Sequence, residues 1–113
     1  MEDRFLQQLK KGVLEMLVLE AVCDGPTYGY ELLFTLKDRS GGMFTLKEGT
    51  LYPILYRLED DGFVTASWSA GQGRAAPKKI YTATETGRKE AKRRRAVWGQ
   101  FSQTVNGFEA KCQ

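Results

Sequence analysis

The stretch "GTLYPILYRLEDDGF", residues 49–63, decides how the chain is read. Leu51, Ile54, Leu55 and Leu58 recur at i, i+3, i+4 and i+7, the period of one helical face. The opposite side of that helix holds Gly49, Tyr52, Pro53, Tyr56 and Asp60. The solvent side of an amphipathic helix is ordinarily charged or polar, so two aromatics and a proline there mark a contact surface. Just upstream, Thr45 and Glu48 have the S/T-x-x-E spacing of a capping box, which predicts a helix from Leu46. Pro53 then lies inside the helix and frees the Gly49 carbonyl. A start at Thr50 would instead put Pro53 in the first turn, and both starts stay open.

Working outward, residues 2–23 read as a first helix with a stripe of Phe5, Leu6, Leu9, Val13, Met16 and Leu17. Gly25-Pro26 stops it, and Thr27 is the expected cap of a second helix over "YGYELLFTLKDRS", with Tyr30, Leu33 and Leu36 inward. Gly62 ends the third helix. "FVTASWSA" and "KKIYTAT" then read as two strands, alternating β-branched and aromatic residues. The connection between them, "GQGRAAP", is too long for a tight turn, and Arg74 with Lys78 and Lys79 gives the hairpin a basic tip. After Thr84, another expected cap, a last helix carries Ala91, Trp98, Val105 and Cys112 seven apart, interleaved with Arg94, Phe101 and Phe108. A seam that narrow needs another helix to bury it.

Composition bounds the function. At 113 residues, 42% hydrophobic and 27% charged, the chain is one ordinary soluble domain. Its longest apolar stretch, Val13 to Val22, is broken by Glu15 and Glu20, too short and too charged to span a bilayer. No secretory signal is read at the start, so a cytoplasmic protein without membrane contact is expected. Cys23 and Cys112 are two unremarkable thiols in a reducing compartment. The chain has no His, which removes catalytic imidazole and imidazole-bearing zinc sites. No nucleophile elbow, phosphate loop or carboxylate pair is visible, so no enzyme, catalytic residue, cofactor or metal is expected. Net charge is +3, yet between Arg74 and Arg95 nine basic residues face only Glu85 and Glu90. Such one-sided basicity suits a polyanion, although a solvated helix face would look the same.

Two short helices, a glycine turn and a hairpin with a basic tip make a winged helix-turn-helix. The expected fold is mainly α with a β-hairpin wing, residues 1–84 forming the DNA-binding domain and 85–113 a C-terminal dimerisation helix. In such modules the second helix of the pair enters the DNA major groove while flanking elements hold phosphates. Lys47, Gly49, Thr50, Tyr52 and Tyr56 are the candidate contacts on the helix, and Arg74, Lys78 and Lys79 those on the wing. Tyrosine hydroxyls suit phosphate oxygens, and their rings suit sugars or thymine methyls. The same tyrosines would also serve to pack under the wing or against a partner chain. Phe5, Leu6 and Leu9 at the start of the first helix, with Trp98, Phe101, Val105 and Phe108 on the last, are the candidate homodimer interface.

"LYPILYRLEDDGFV" resembles the L-Y-P-x-L-x-R-L-E-x-x-G pattern of the PadR family of bacterial transcriptional regulators. "GPTYGYEL" is similar to the family's G-P-x-H-G-Y-E stretch, with Tyr28 in place of His, and "GRAAPKKIYTATETG" to its wing and T-x-x-G segment. The resemblance covers about residues 9–88. It implies a dimeric repressor on a palindromic double-stranded operator, in the compact branch whose last helix packs on the partner's first helix. It also implies that Trp98 lines a central pore accepting a small planar aromatic effector; plain interface packing is the alternative for that residue. A winged helix used for RNA or for protein contact, without an operator, is the competing class.

Overall fold

The computed structural model describes residues 3–71, 73 and 75–110. The chain runs α1 (Arg4–Cys23), α2 (Gly29–Arg39), α3 (Glu48–Asp60), β1 (Val64–Trp68), β2 (Lys79–Ala83) and α4 (Glu85–Asn106). This is the expected order of three helices, a hairpin and a helix, and the winged helix-turn-helix is present. Arg74 and Cys112 lie outside the described residues.

The core forms where three amphipathic helices meet the hairpin. Val18, Leu19 and Val22 come from the second half of α1, and Leu32 and Leu36 from α2. All four expected leucine and isoleucine positions of α3, Leu51, Ile54, Leu55 and Leu58, are buried, and Val64 and Tyr81 close the layer from the hairpin. β1 and β2 pair antiparallel from Val64↔Ala83 to Trp68↔Lys79. No described helix is long and apolar enough to cross a membrane.

Four local expectations are corrected: α4 ends at Asn106, so Phe108, expected on the last helix, lies beyond it, and three others concern the first three helices. Tyr30 does not face the core; it is 69% exposed. At 100° per residue it lies about 200° round the helix from buried Leu32, so the face that packs Leu32 and Leu36 turns Tyr30 outward. Thr27 does not cap α2 either. It is buried, its backbone exchanges two hydrogen bonds with Tyr81 (3.0 and 2.7 Å), and Tyr28 takes the capping position. Finally, α3 begins at Glu48, between the two starts considered. The Thr45 hydroxyl donates to the Gly42 carbonyl at 2.7 Å instead of forming a capping box, and Pro53 sits inside the helix.

The Thr84 cap is as expected: its hydroxyl oxygen accepts from the Gly87 N–H at 2.9 Å. The same hydroxyl donates to the Gly62 carbonyl at 2.7 Å, tying the end of α3 to the start of α4. A Cβ at Gly87 would collide with the Phe63 carbonyl, which gives T-x-x-G its steric reason. Beyond Ala91, α4 leaves the core. Its 22 residues span about 33 Å, and the Cα radius of gyration of 16.5 Å exceeds the roughly 13 Å of a compact domain this size.

Candidate nucleic-acid interface

The outward side of α3 is built as its sequence requires. With Leu51, Ile54, Leu55 and Leu58 inward, Gly49, Thr50, Pro53 and Tyr56 are exposed, and Lys47 stands at the N-cap. Tyr52 is only half-buried because its hydroxyl tucks against Gly29 at the start of α2, where any Cβ would overlap it. Tyr52 and Tyr56 lie one turn apart with ring centroids 6.3 Å apart. Glu48, in the first turn, faces the exposed Tyr30 hydroxyl and holds that phenol above its ordinary pKa.

A groove of about 550 Å³ runs between the start of α2, this face of α3 and the hairpin. It brings Tyr52 and Tyr56 together with Lys78 and Lys79, which sequence reasoning had placed on separate elements. The lysines do not stand free. The Lys78 ammonium lies 4.2 Å from the centre of the Tyr28 ring, and that of Lys79 lies 5.2 Å from Tyr56 and 5.5 Å from Tyr81. Lys47, Gly49 and Thr50 are not among the residues lining this groove; Lys47 and Gly49 stand at the N-terminal end of α3, and Thr50 lines the wider groove between α1, α3 and the last helix. Beneath it, burial pushes the Tyr81 phenol up to about 12, and its hydroxyl has no hydrogen-bond partner among the described residues. Ammonium and phenol groups here can hold anionic oxygens. Among the described residues no cluster of His, Cys, Asp or Glu could hold a metal.

The basic run divides in two. While Lys78 and Lys79 enter the groove, Arg93, Arg94 and Arg95 of α4 turn to carboxylates and Arg88 donates to the Cys23 carbonyl at 2.9 Å. Glu90 accepts from Arg93 at 2.8 Å and from Arg94 at 2.7 Å, and these bonds hold its carboxyl down at about 2. Arg95 donates to Glu20 of α1 at 2.8 Å, and Arg57 of α3 to Glu15 of α1 at 2.7 Å. Much of the apparent polyanion signal of α4 is therefore spent within the protein. The half-buried Cys23 thiol is pushed up by burial, against the opposing pull of Arg88, which suits an unreactive role.

A second, wider groove of about 950 Å³ lies between α1, α3 and α4. Leu9, Trp98 and Phe101 line it together, with Arg57, Arg93 and Arg94 among its polar lining. Trp98 and Phe101 have ring centroids 6.5 Å apart. Phe5, Val105 and Phe108 are exposed and lie outside that lining, and Leu6 is half-buried.

Residues 18–93 match the model of the "Transcriptional regulator PadR-like family". The chain belongs to this PadR-like family. It is 33% identical to the negative transcriptional regulator PadR of Bacillus subtilis over 69% of this chain and 42% of that protein. The match thus spans less than half of the Bacillus regulator. It is 28% identical to a transcriptional regulator of Mycobacterium tuberculosis over 93% of this chain and 94% of that one. A solved PadR family transcriptional regulator from Eggerthella lenta superposes with a TM-score of 0.84 at 30% identity, covering 96% of this chain and 91% of its own. PadR-like proteins are transcriptional regulators, not enzymes.

Within this PadR-like chain, the family match takes in α2, α3, the hairpin and the first part of α4, and stops before Trp98. Tyr28, Tyr30 and Trp68 also line the hairpin groove, and sequence reasoning gave none of them a site role. The signal for Tyr30 was its angle to Leu32 on the wheel. Tyr28 carried none, because its place depends on the pairing of Thr27 with Tyr81, which no local pattern announces.

Proposed function

We propose that the protein is a ligand-responsive repressor that binds a palindromic double-stranded DNA operator as a homodimer. The observation that carries this reading is the groove in which Tyr52 and Tyr56 of α3 meet Lys78 and Lys79 of the hairpin, on a chain of the PadR-like family. In this reading residues 1–84 bind DNA and 85–113 dimerise. Lys47, Gly49 and Thr50 approach bases from the N-terminal end of α3 and Tyr52 from within the groove, while Arg74, Lys78 and Lys79 hold phosphates and Tyr56 serves either. Repression is supported by the likeness to the Bacillus protein, a negative regulator.

Dimerisation is supported by apolar side chains left on the surface of a single chain: Phe5, Leu9, Trp98, Phe101, Val105 and Phe108. Leu6 borders them. A two-fold dimer places its α3 helices about one DNA turn, roughly 34 Å, apart, which calls for an inverted repeat. Trp98 is the proposed contact for a planar aromatic effector, since it shares its groove with Phe101 and with the guanidinium groups of Arg57, Arg93 and Arg94. The protein would act in the cytoplasm, at the chromosome.

The test is binding of purified protein to duplex DNA and to duplex RNA of equal length across a salt series, with sedimentation in parallel. Sequence-selective DNA binding by a dimer is expected. Equal affinity for RNA, or no nucleic-acid binding, would overturn the reading. For the effector, fluorescence of Trp98 is followed against a Trp98→Ala control while planar phenolics and cationic dyes are titrated. Quenching confined to Trp98, with release of DNA, is expected for the phenolics. No quenching and no release by any compound would leave Trp98 as packing.

A further inference from the structure

Neighbouring residues of an extended strand project to opposite sides. Lys79 is the first residue of β2, paired with Trp68. Lys78 continues the same register, its carbonyl accepting from the Ser69 N–H at 2.8 Å. The two side chains should therefore diverge, yet both line the one groove beside α3. Aromatic rings collect them. The Lys79 ammonium lies over Tyr56 of α3, and the Lys78 ammonium lies 4.2 Å from the ring centre of Tyr28, the shortest of the ammonium–ring contacts described.

Tyr28 is itself fixed. It caps α2 in extended conformation (φ −130°, ψ 170°), one residue after Thr27, whose backbone is paired with Tyr81 of β2. Thr27 turns into the core and Tyr28 turns out, half-buried, toward the hairpin. The linker between α1 and α2 thus runs alongside β2 and presents one ring to one lysine of the wing.

We propose that Tyr28 is a positioning residue for DNA binding, its ring holding the Lys78 ammonium on the α3 side of the wing so that both lysines meet the phosphate backbone together. The role rests on the DNA-binding reading above. It is played without contact between Tyr28 and DNA, and it needs the ring rather than the hydroxyl.

The experiment is a double-mutant cycle on operator affinity with Tyr28→Leu and Lys78→Gln, joined by Tyr28→Phe. Tyr28→Leu should weaken binding by about two- to fivefold, the worth of one exposed cation–π contact. It should leave the salt slope unchanged, because the number of phosphates neutralised is unchanged. In the Lys78→Gln background the same substitution should have no further effect, and Tyr28→Phe should bind as the parent does. In DNA-free protein, NMR should show the Lys78 side-chain methylene protons shifted upfield by the ring, and the shift should vanish in Tyr28→Leu. Additive losses in the cycle, or a Tyr28→Phe as weak as Tyr28→Leu, would overturn this role while leaving DNA binding intact. A parent protein that binds no duplex would overturn the DNA reading and this role with it, and an unshifted Lys78 would remove the contact whatever the DNA result.

Discussion

Two regions of this chain treat apolar side chains in opposite ways. Between Met16 and Ala91 a core set disappears: Leu19, Leu51, Leu55 and Tyr81 are fully buried and every inward position of α3 is used, while Tyr30, Phe34, Met43, Tyr56 and Trp68 are left outside on separate elements. From Trp98 onward the apolar side chains stay outside, with Phe101 60% and Phe108 84% exposed. The α4 helix crosses from one regime to the other within two turns. Burial of that first set supplies the stability of the winged unit. The second set contributes little to it in a single chain, where Trp98 and Phe101 pack on each other and beside Leu9, and a protein seldom leaves so many large apolar groups along one segment without a use for them. In the proposed reading, stability and assembly are therefore written on different segments.

The largest expected effect tests that separation. Phe101→Glu with Phe108→Glu should give a monomer by sedimentation and weaken operator binding on the order of 100-fold, because the two half-sites are then no longer bound by linked subunits. The winged unit should stay folded, its melting temperature falling only by what dimer linkage supplied at the protein concentration used. Leu55→Ala should do the reverse, costing about 2–5 kcal/mol of stability through a core cavity. A parent protein that sediments as a monomer at micromolar concentration would erase the contrast.

In the proposed reading the wing extends the same division, its lysines serving binding rather than the core. Lys78→Gln and Lys79→Gln should each lower the slope of log affinity against log salt by about 0.9, equally on all sequences. Thr50→Ala should instead change preference among sequences, by about 1–3 kcal/mol at each base pair that Thr50 reads. Unchanged salt slopes would mean that the hairpin groove does not meet DNA.

How far the sequence carried the reading depends on which residues interact locally. Leu51, Ile54, Leu55 and Leu58 were legible because helical period and burial coincide. The Thr84 cap was legible because its partner, Gly87, is three residues away. The Thr45–Glu48 pair had the right spacing and still failed, since the helix takes Lys47 as its N-cap and leaves Thr45 two residues outside, its hydroxyl turned to Gly42. The groove was half legible: Lys78, Lys79, Tyr52 and Tyr56 were named singly, but their meeting depends on strand register and on the Thr27–Tyr81 pairing. The partner of Arg95 on α4 was not legible because Glu20 lies far away in sequence and beside it in space, and the same holds for Arg57 of α3 and Glu15; Glu90, which holds Arg93 and Arg94, is local.

A smaller effect sits at the junction of the two regions. Glu90 keeps its charge well below the ordinary carboxylate range, at about 2, through Arg93 and Arg94. A carboxyl whose folded pKa is depressed adds stability that is full above its unfolded value and is lost as pH falls through the folded one. Glu90→Gln should therefore cost about 1 kcal/mol at neutral pH, a figure kept modest because Arg93 is well exposed to solvent. The gap between variant and parent in thermal melts should close as pH falls from about 4.5 to about 2. A gap independent of pH would assign the loss to packing rather than to charge.

The smallest expected effect is inside the core, where burial would otherwise lead one to expect large ones. Tyr81 is fully buried and lies beneath the groove, and its hydroxyl has no partner among the described residues. A buried hydroxyl without a hydrogen bond carries a desolvation cost that removal of the oxygen abolishes. Against that stands the small void left by one oxygen atom, whose neighbours forfeit some dispersion attraction. The two terms oppose and are of similar size. Tyr81→Phe should therefore change stability by less than about 1 kcal/mol in denaturant titration, although Tyr81→Ala should cost several times that through the cavity it opens. The Lys79 contact needs the ring face and not the hydroxyl, so DNA affinity and salt slope should also survive Tyr81→Phe. A drop above about 2 kcal/mol in Tyr81→Phe would show that the hydroxyl is hydrogen-bonded in solution.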